Sequence, residues 1–127
     1  MLKVLVVEDE PYVRRGIVLS VDWTALDCFV VGEAANGEEG YDAALKFQPN
    51  IIITDIRMPK MDGIEMLKRL REAGCKSEVI ILTAYSDFEY AQNALHYGAA
   101  DYLLKPFHDG ELEQVIVSIH SLSLIHI

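Results

Sequence analysis

Cysteine is scarce. The 127 residues hold two, Cys28 and Cys75, spaced for neither a metal site nor a redox pair. With no secretion signal in view, they predict a reducing, cytoplasmic setting and small core or boundary side chains. The apolar opening, residues 1–7, is too short for the hydrophobic region and cleavage site of a signal peptide. No run approaches the length of a membrane span, so no membrane partner is expected. Basic charge is also short: 11 Lys and Arg stand against 20 Asp and Glu, a formal net charge of -9. That balance argues against a grip on nucleic acid through a basic surface. There is no internal repeat and no low-complexity tract, and the length suits one domain with a single core.

What is present is a regular alternation. Residues 51–53 are three consecutive Ile, followed by Thr54, the pattern of a strand buried on both faces. Asp55 stands where that strand should end, and Pro59 and Gly63 then break regular structure ahead of a helix. Open α/β sheets carry their chemistry at the carboxyl ends of such strands, although Asp is also an ordinary turn residue. Residues 4–7 form another buried strand, ending in Glu8-Asp9-Glu10-Pro11, with proline suited to the first turn of a helix. Val13, Ile17 and Val21 mark the core stripe of that helix, with Arg14 and Arg15 outside it. Residues 28–32 read as the next strand. Asn36 reads as the N-cap of a helix to about Phe47, with Gly40, Ala43, Ala44 and Phe47 inward.

After Asp62-Gly63, a helix carries Ile64, Leu67 and Leu70 inward and Lys68, Arg69, Arg71 and Glu72 outward, stopping at Gly74. Residues 79–82 form the fourth strand, ending at Thr83-Ala84. Ser86 or Asp87 caps a helix to Tyr97 that contains no Lys or Arg. Residues 101–104 make a fifth strand before Lys105-Pro106-Phe107, and Asp109 opens a last helix with Leu112, Val115, Ile116 and Ile119 on one face.

Five strand–helix units predict an α/β fold: a doubly wound, five-stranded parallel sheet of order 2-1-3-4-5, flavodoxin-like, with five helices. In that order the first and third strands are neighbours, which brings Glu8 and Asp9 beside Asp55. Thr83 and Lys105 end the fourth and fifth strands on the same edge. Three carboxylates together repel and call for a cation. Magnesium suits an oxygen-lined, shallow site that also binds phosphate oxygen. A hydroxyl and an ammonium beside them suit an anion, so the set reads as a phosphoryl-transfer site with Asp55 as nucleophile.

These residues lie in motifs that resemble the receiver domain of bacterial two-component response regulators. The matching pieces are Val-Val-Glu-Asp-Glu-Pro at 6–11, Thr-Asp-Ile-Arg-Met-Pro-Lys-Met-Asp-Gly at 54–63, Leu-Thr-Ala at 82–84 and Asp-Tyr-Leu-Leu-Lys-Pro-Phe at 101–107. The resemblance runs from about residue 2 to 118. It implies that Asp55 accepts phosphate from a sensor histidine kinase, and that Glu8 and Asp9 form the acidic pocket. It further implies that Asp9, Asp55 and the backbone carbonyl of Arg57 hold magnesium. Thr83, Ala84 and Lys105 would bind the phosphoryl group, Tyr102 would be the switch aromatic, and Lys105–Pro106 would be a cis peptide. Glu8 departs mildly from the pattern, standing where many receivers carry Asp, and its longer side chain implies metal contact through water.

Asp22-Trp23, the stretch 32–37 and the stretch 87–91 resemble the subgroup joined to AraC-type helix-turn-helix output domains. The implied role is signalling rather than enzymatic, limited to self-phosphorylation and self-dephosphorylation, with a switch on the face made by the fourth helix, fifth strand and fifth helix. A receiver homodimer on phosphorylation would use that face, although the missing basic residues argue against a charge-rich contact. DNA would be reached only through an output domain absent from these residues. Residues 1–120 are expected to form the receiver, and 121–127 a tail or junction. Among rivals, a haloacid-dehalogenase-type phosphatase expects a second Asp at the position of Arg57. A flavodoxin-like carrier expects a phosphate loop rich in Ser, Thr and Gly after the first strand, and a P-loop expects Lys at the position of Glu38.

Overall fold

The computed structural model describes residues 1–105, 108 and 110–125, with Tyr85 and 121–125 described through their backbone alone. Five parallel strands, β1 (Leu2–Val7), β2 (Cys28–Ala34), β3 (Ile51–Asp55), β4 (Glu78–Ala84) and β5 (Asp101–Lys105), lie in the order 2-1-3-4-5, as the alternation predicts. The helices are α1 (Pro11–Ser20), α2 (Gly37–Phe47), α3 (Gly63–Glu72), α4 (Phe88–His96) and α5 (Glu111–Ile125), with short 3₁₀ turns at Thr24–Leu26 and Tyr85–Asp87.

Strand residues alternate between two cores, because successive side chains leave opposite faces of a sheet. Val4, Val6, Ile51, Ile53, Ile80 and Leu82 pack under α1 and α5 with Ile17, Leu112 and Ile116. Leu5, Val7, Ile52, Val79 and Ile81 pack under α2, α3 and α4 with Ala44, Leu67, Leu70 and Ala91. Both faces of β1, β3 and β4 are therefore dry, as their unbroken apolar runs require.

The local signals act largely where expected. Asn36 Oδ1 accepts the Glu39 amide and caps α2, while Asp62 Oδ1 accepts the Glu65 amide and caps α3. Gly74 takes φ +84 after α3. Two expectations need correction. Val13 is exposed, whereas Ile17 and Val21 are buried, so α1 leans on the sheet only through its later turns. Asp87 occupies the N-cap position of α4 but makes no side-chain cap hydrogen bond; its backbone, at φ -104 and ψ 11, lies outside the extended region that the capping residues Asn36 and Asp62 adopt, and its Oδ1 binds Arg57. The expected helix start at Asp109 and the cis peptide at Pro106 lie outside the described residues. Within α3, Met66 is fully buried beside the expected Ile64, Leu67 and Leu70.

Candidate functional site

Strand register sets the rim. Val7 pairs with Thr54, Asp55 with Leu82, and Ala84 with Lys105, so β1 and β3 end together on one edge and β4 and β5 run on past them, far enough for Lys105 to reach back. Glu8, Asp9 and Asp55 each bring a carboxylate oxygen within 4.8 Å of the others. Lys105 reaches back over them, its Nζ 3.1 Å from Asp55 Oδ2 and 3.4 Å from Glu8 Oε1.

Asp55 is fixed in more than one way. Its Oδ1 accepts the Ile56 amide at 2.8 Å, which leaves Oδ2 turned to the lysine. Its backbone oxygen accepts the Thr54 hydroxyl at 2.9 Å. Gly63 approaches so closely that a Cβ there would lie 2.3 Å from that same backbone oxygen. A glycine is required at this point for packing. Gly37 does the same at a second close approach, donating its amide to Met61 O at 2.9 Å, with no room for a Cβ against that carbonyl.

Glu8 is almost fully buried, and its Oε2 has no hydrogen-bond partner among the described residues. Burial, then the neighbouring Asp55 carboxylate, push its pKa up to about 8, while Lys105 pulls against both. For Lys105, burial works to lower the pKa, and Asp55 and Glu8 outweigh it, so the ammonium is held charged beyond its ordinary range. One cation thus serves two of the three acidic groups, and among the described residues a buried Glu8 oxygen is left unsatisfied. That is the chemistry of a donor set suited to a hard, oxygen-seeking cation.

The other predicted residues divide between the rim and its surroundings. Thr83 is buried at the end of β4, its hydroxyl donating to Ala84 O at 3.1 Å. Ala84 itself is exposed. Tyr102 does not reach the rim: it sits half-buried within β5, edge-on to Phe88 at 5.4 Å. The Arg57 side chain points away to α4, pairing with Asp87 at 3.1 Å and lying over the Tyr90 ring at 4.8 Å. Tyr90 in turn donates to Asp62 Oδ2 at 2.7 Å. Sequence reasoning missed this cluster. The one local signal was Asp87 and Tyr90 three apart, at the spacing that shares a helix face.

Residues 4–117 match the family model described as the response regulator receiver domain. The transcriptional regulatory protein YesN of Bacillus subtilis is 36% identical over 122 residues, which are 96% of this chain and 32% of YesN. The chain therefore spans about a third of that relative. The REC domain of AraT, a response regulator from Geobacillus stearothermophilus, superposes with a TM-score of 0.91 at 36% identity, covering 99% of this chain and 98% of that one. A two-component transcriptional regulator AraC from Clostridium phytofermentans gives 0.88 at 33% identity, with the same coverage.

Proposed function

Because this chain belongs to the response regulator receiver domain family, we propose that it accepts a phosphoryl group on Asp55 from a sensor histidine kinase and thereby controls a transcriptional output. The observation that carries this reading is the buried Glu8 Oε2, without a partner among the described residues, beside Asp9 and Asp55, with Lys105 Nζ shared by Glu8 and Asp55. Asp55 Oδ2 attacks phosphorus, the N–P bond of the phosphohistidine breaks, and its electron pair returns to the imidazole. The Ile56 amide holds the other oxygen, so a single oxygen is presented. Lys105 pairs with the phosphoryl oxygens after transfer, and the Thr83 hydroxyl and the end of β4 at Ala84 receive the remaining ones. Asp9, Asp55 and the Arg57 carbonyl would hold magnesium, with Glu8 acting through water. When bound, the metal neutralises charge on the carboxylates and on the transferred group.

Thr83, drawn toward the phosphoryl group, vacates space that Tyr102 enters, and the α4–β5–α5 face repacks. That face is also the proposed contact of a receiver homodimer. DNA would be bound only through an AraC-type output domain outside these residues, with residues 1–120 as receiver, 121–127 as tail or junction, and the cytoplasm as location. Among the described residues no helix is long and apolar enough to cross a membrane.

Incubation with acetyl phosphate and magnesium should add one phosphoryl mass, removable by hydroxylamine and absent in Asp55→Asn. Labelling of Asp55→Asn to the wild-type extent would show the nucleophile to be misassigned.

A further inference from the structure

We infer that Asp87 and Tyr90 are positioning residues for the phosphoacceptor loop, acting through Arg57 and Asp62 to hold α4 and that loop in the arrangement seen here. The inference rests on the phosphoacceptor reading of Asp55.

The contacts form one continuous chain. Asp87 Oδ1 binds Arg57 Nε, two residues beyond Asp55. The Arg57 guanidinium stacks on Tyr90, whose hydroxyl is bound to Asp62 Oδ2. Asp62 caps α3 through its other oxygen. Next to it, Gly63 donates to Ile56 O at 2.9 Å and lies against the backbone oxygen of Asp55. Two residues at the start of α4 thus grip both ends of the loop that leaves Asp55. Asp87 stands at the N-cap of α4 and makes no cap hydrogen bond there. N-cap side chains ordinarily satisfy the first free amides of a helix. Lacking that cap, the amino end of α4 has its ties to the loop through Asp87 and Tyr90, beside the packing of Phe88 on Tyr102 and of buried Ala91 in the core.

An exposed ion pair alone contributes little. Here it is joined to an aromatic stack and to a tyrosine–carboxylate bond, and members of such a network act together. A repacked α4–β5–α5 face moves α4 relative to the loop and must break these contacts. The cluster therefore opposes the phosphorylated arrangement, and by linkage its removal favours ligands of that arrangement.

Magnesium beryllofluoride, a phosphoryl mimic, tests this by NMR titration of wild type, Asp87→Asn, Tyr90→Phe and the double variant, following the Thr83 amide. Tyr90→Phe keeps the ring under Arg57 and deletes only the bond to Asp62. The midpoint should fall roughly fivefold in each single variant, the lower end of ordinary coupling between sites. The double variant should fall by less than the product of the two. A contact of merely structural value would lower Tm and leave the midpoint unchanged or raised. Midpoints equal to or above that of wild type in both single variants would overturn the inference while leaving the phosphoacceptor reading intact. A wild type that shows no beryllofluoride response removes that reading, and the inference with it.

Discussion

Glu8 is buried with the Asp9 and Asp55 carboxylates beside it and an ammonium it must share with Asp55. Its pKa of about 8 compares with an ordinary 4.5. Between those values the folded chain keeps a proton that the unfolded chain has released, so stability without metal falls as pH rises across that window. Calorimetry in EDTA should give a lower Tm at about pH 8 than at about pH 5.5, and Glu8→Gln should flatten the difference. A slope untouched by that substitution would assign it to other groups. At this scale, residues whose place follows from a strand end were legible in the sequence: Asp55, Thr83 and Lys105 sit where runs of β-branched and apolar residues stop. The burial of Glu8 and its orphaned oxygen were not. They depend on how closely β1 and β3 approach and on which way a lysine from β5 turns.

Among the elements, two glycines decide where loops meet. Gly63→Ala would push a methyl group into Asp55 O. It should lower stability by about 1–3 kcal/mol, the usual penalty of overpacking, and slow phosphoryl uptake, since reacting groups tolerate little displacement. Gly74→Ala is the comparison, because Gly74 has open space around it and only a left-handed φ of +84 to disturb. It should lose about 1 kcal/mol through backbone strain alone and accept phosphoryl as wild type does. Denaturant melts and mass-spectrometric time courses separate the two; equal uptake by both variants would remove the role given to the Gly63 contact.

Arg71 shows where the reading of helix faces failed. It falls on the outward side of α3 by periodicity, yet its guanidinium binds the carbonyls of Tyr97, Cys75, Ser77 and Gly98 at 2.8–3.1 Å. Its acceptors lie 4–27 residues away in sequence, a convergence no helical period encodes. A lysine lacks the planar fork, so Arg71→Lys should destabilise the fold almost as much as Arg71→Ala, by about 2 kcal/mol in denaturant melts.

For the molecule as a whole, the strand order was legible because an unbroken strand–helix alternation leaves few right-handed topologies open. The contacts between α3 and α4 were not, since they join side chains across helices that neither pattern nor propensity relates. The acidic rim also bears on global stability. Without metal the fold holds Glu8, Asp9 and Asp55 together, while the unfolded chain lets them separate. Asp55→Asn should therefore raise Tm in EDTA. Magnesium at ten times its dissociation constant should stabilise wild type by about 1.4 kcal/mol, several degrees for a domain of this size, and the variant by clearly less. Sodium chloride at matched ionic strength controls for screening. If the two proteins melt together in EDTA and gain equally from magnesium, the three carboxylates form no metal site.

The unequal anchoring of α4 has a mechanical consequence. Just past its carboxyl end, Arg71 holds the backbone carbonyls of Tyr97 and Gly98, whereas its amino end is tied to the loop through the side chains of Asp87 and Tyr90. A tilt of such a rod would take the Arg71 end as its fulcrum. Nine residues at 1.5 Å rise make a lever arm of about 13 Å, so a tilt of roughly 10° carries the free end about 2 Å. The displacement would be greatest beside the loop that follows Asp55 and would fade toward Tyr97.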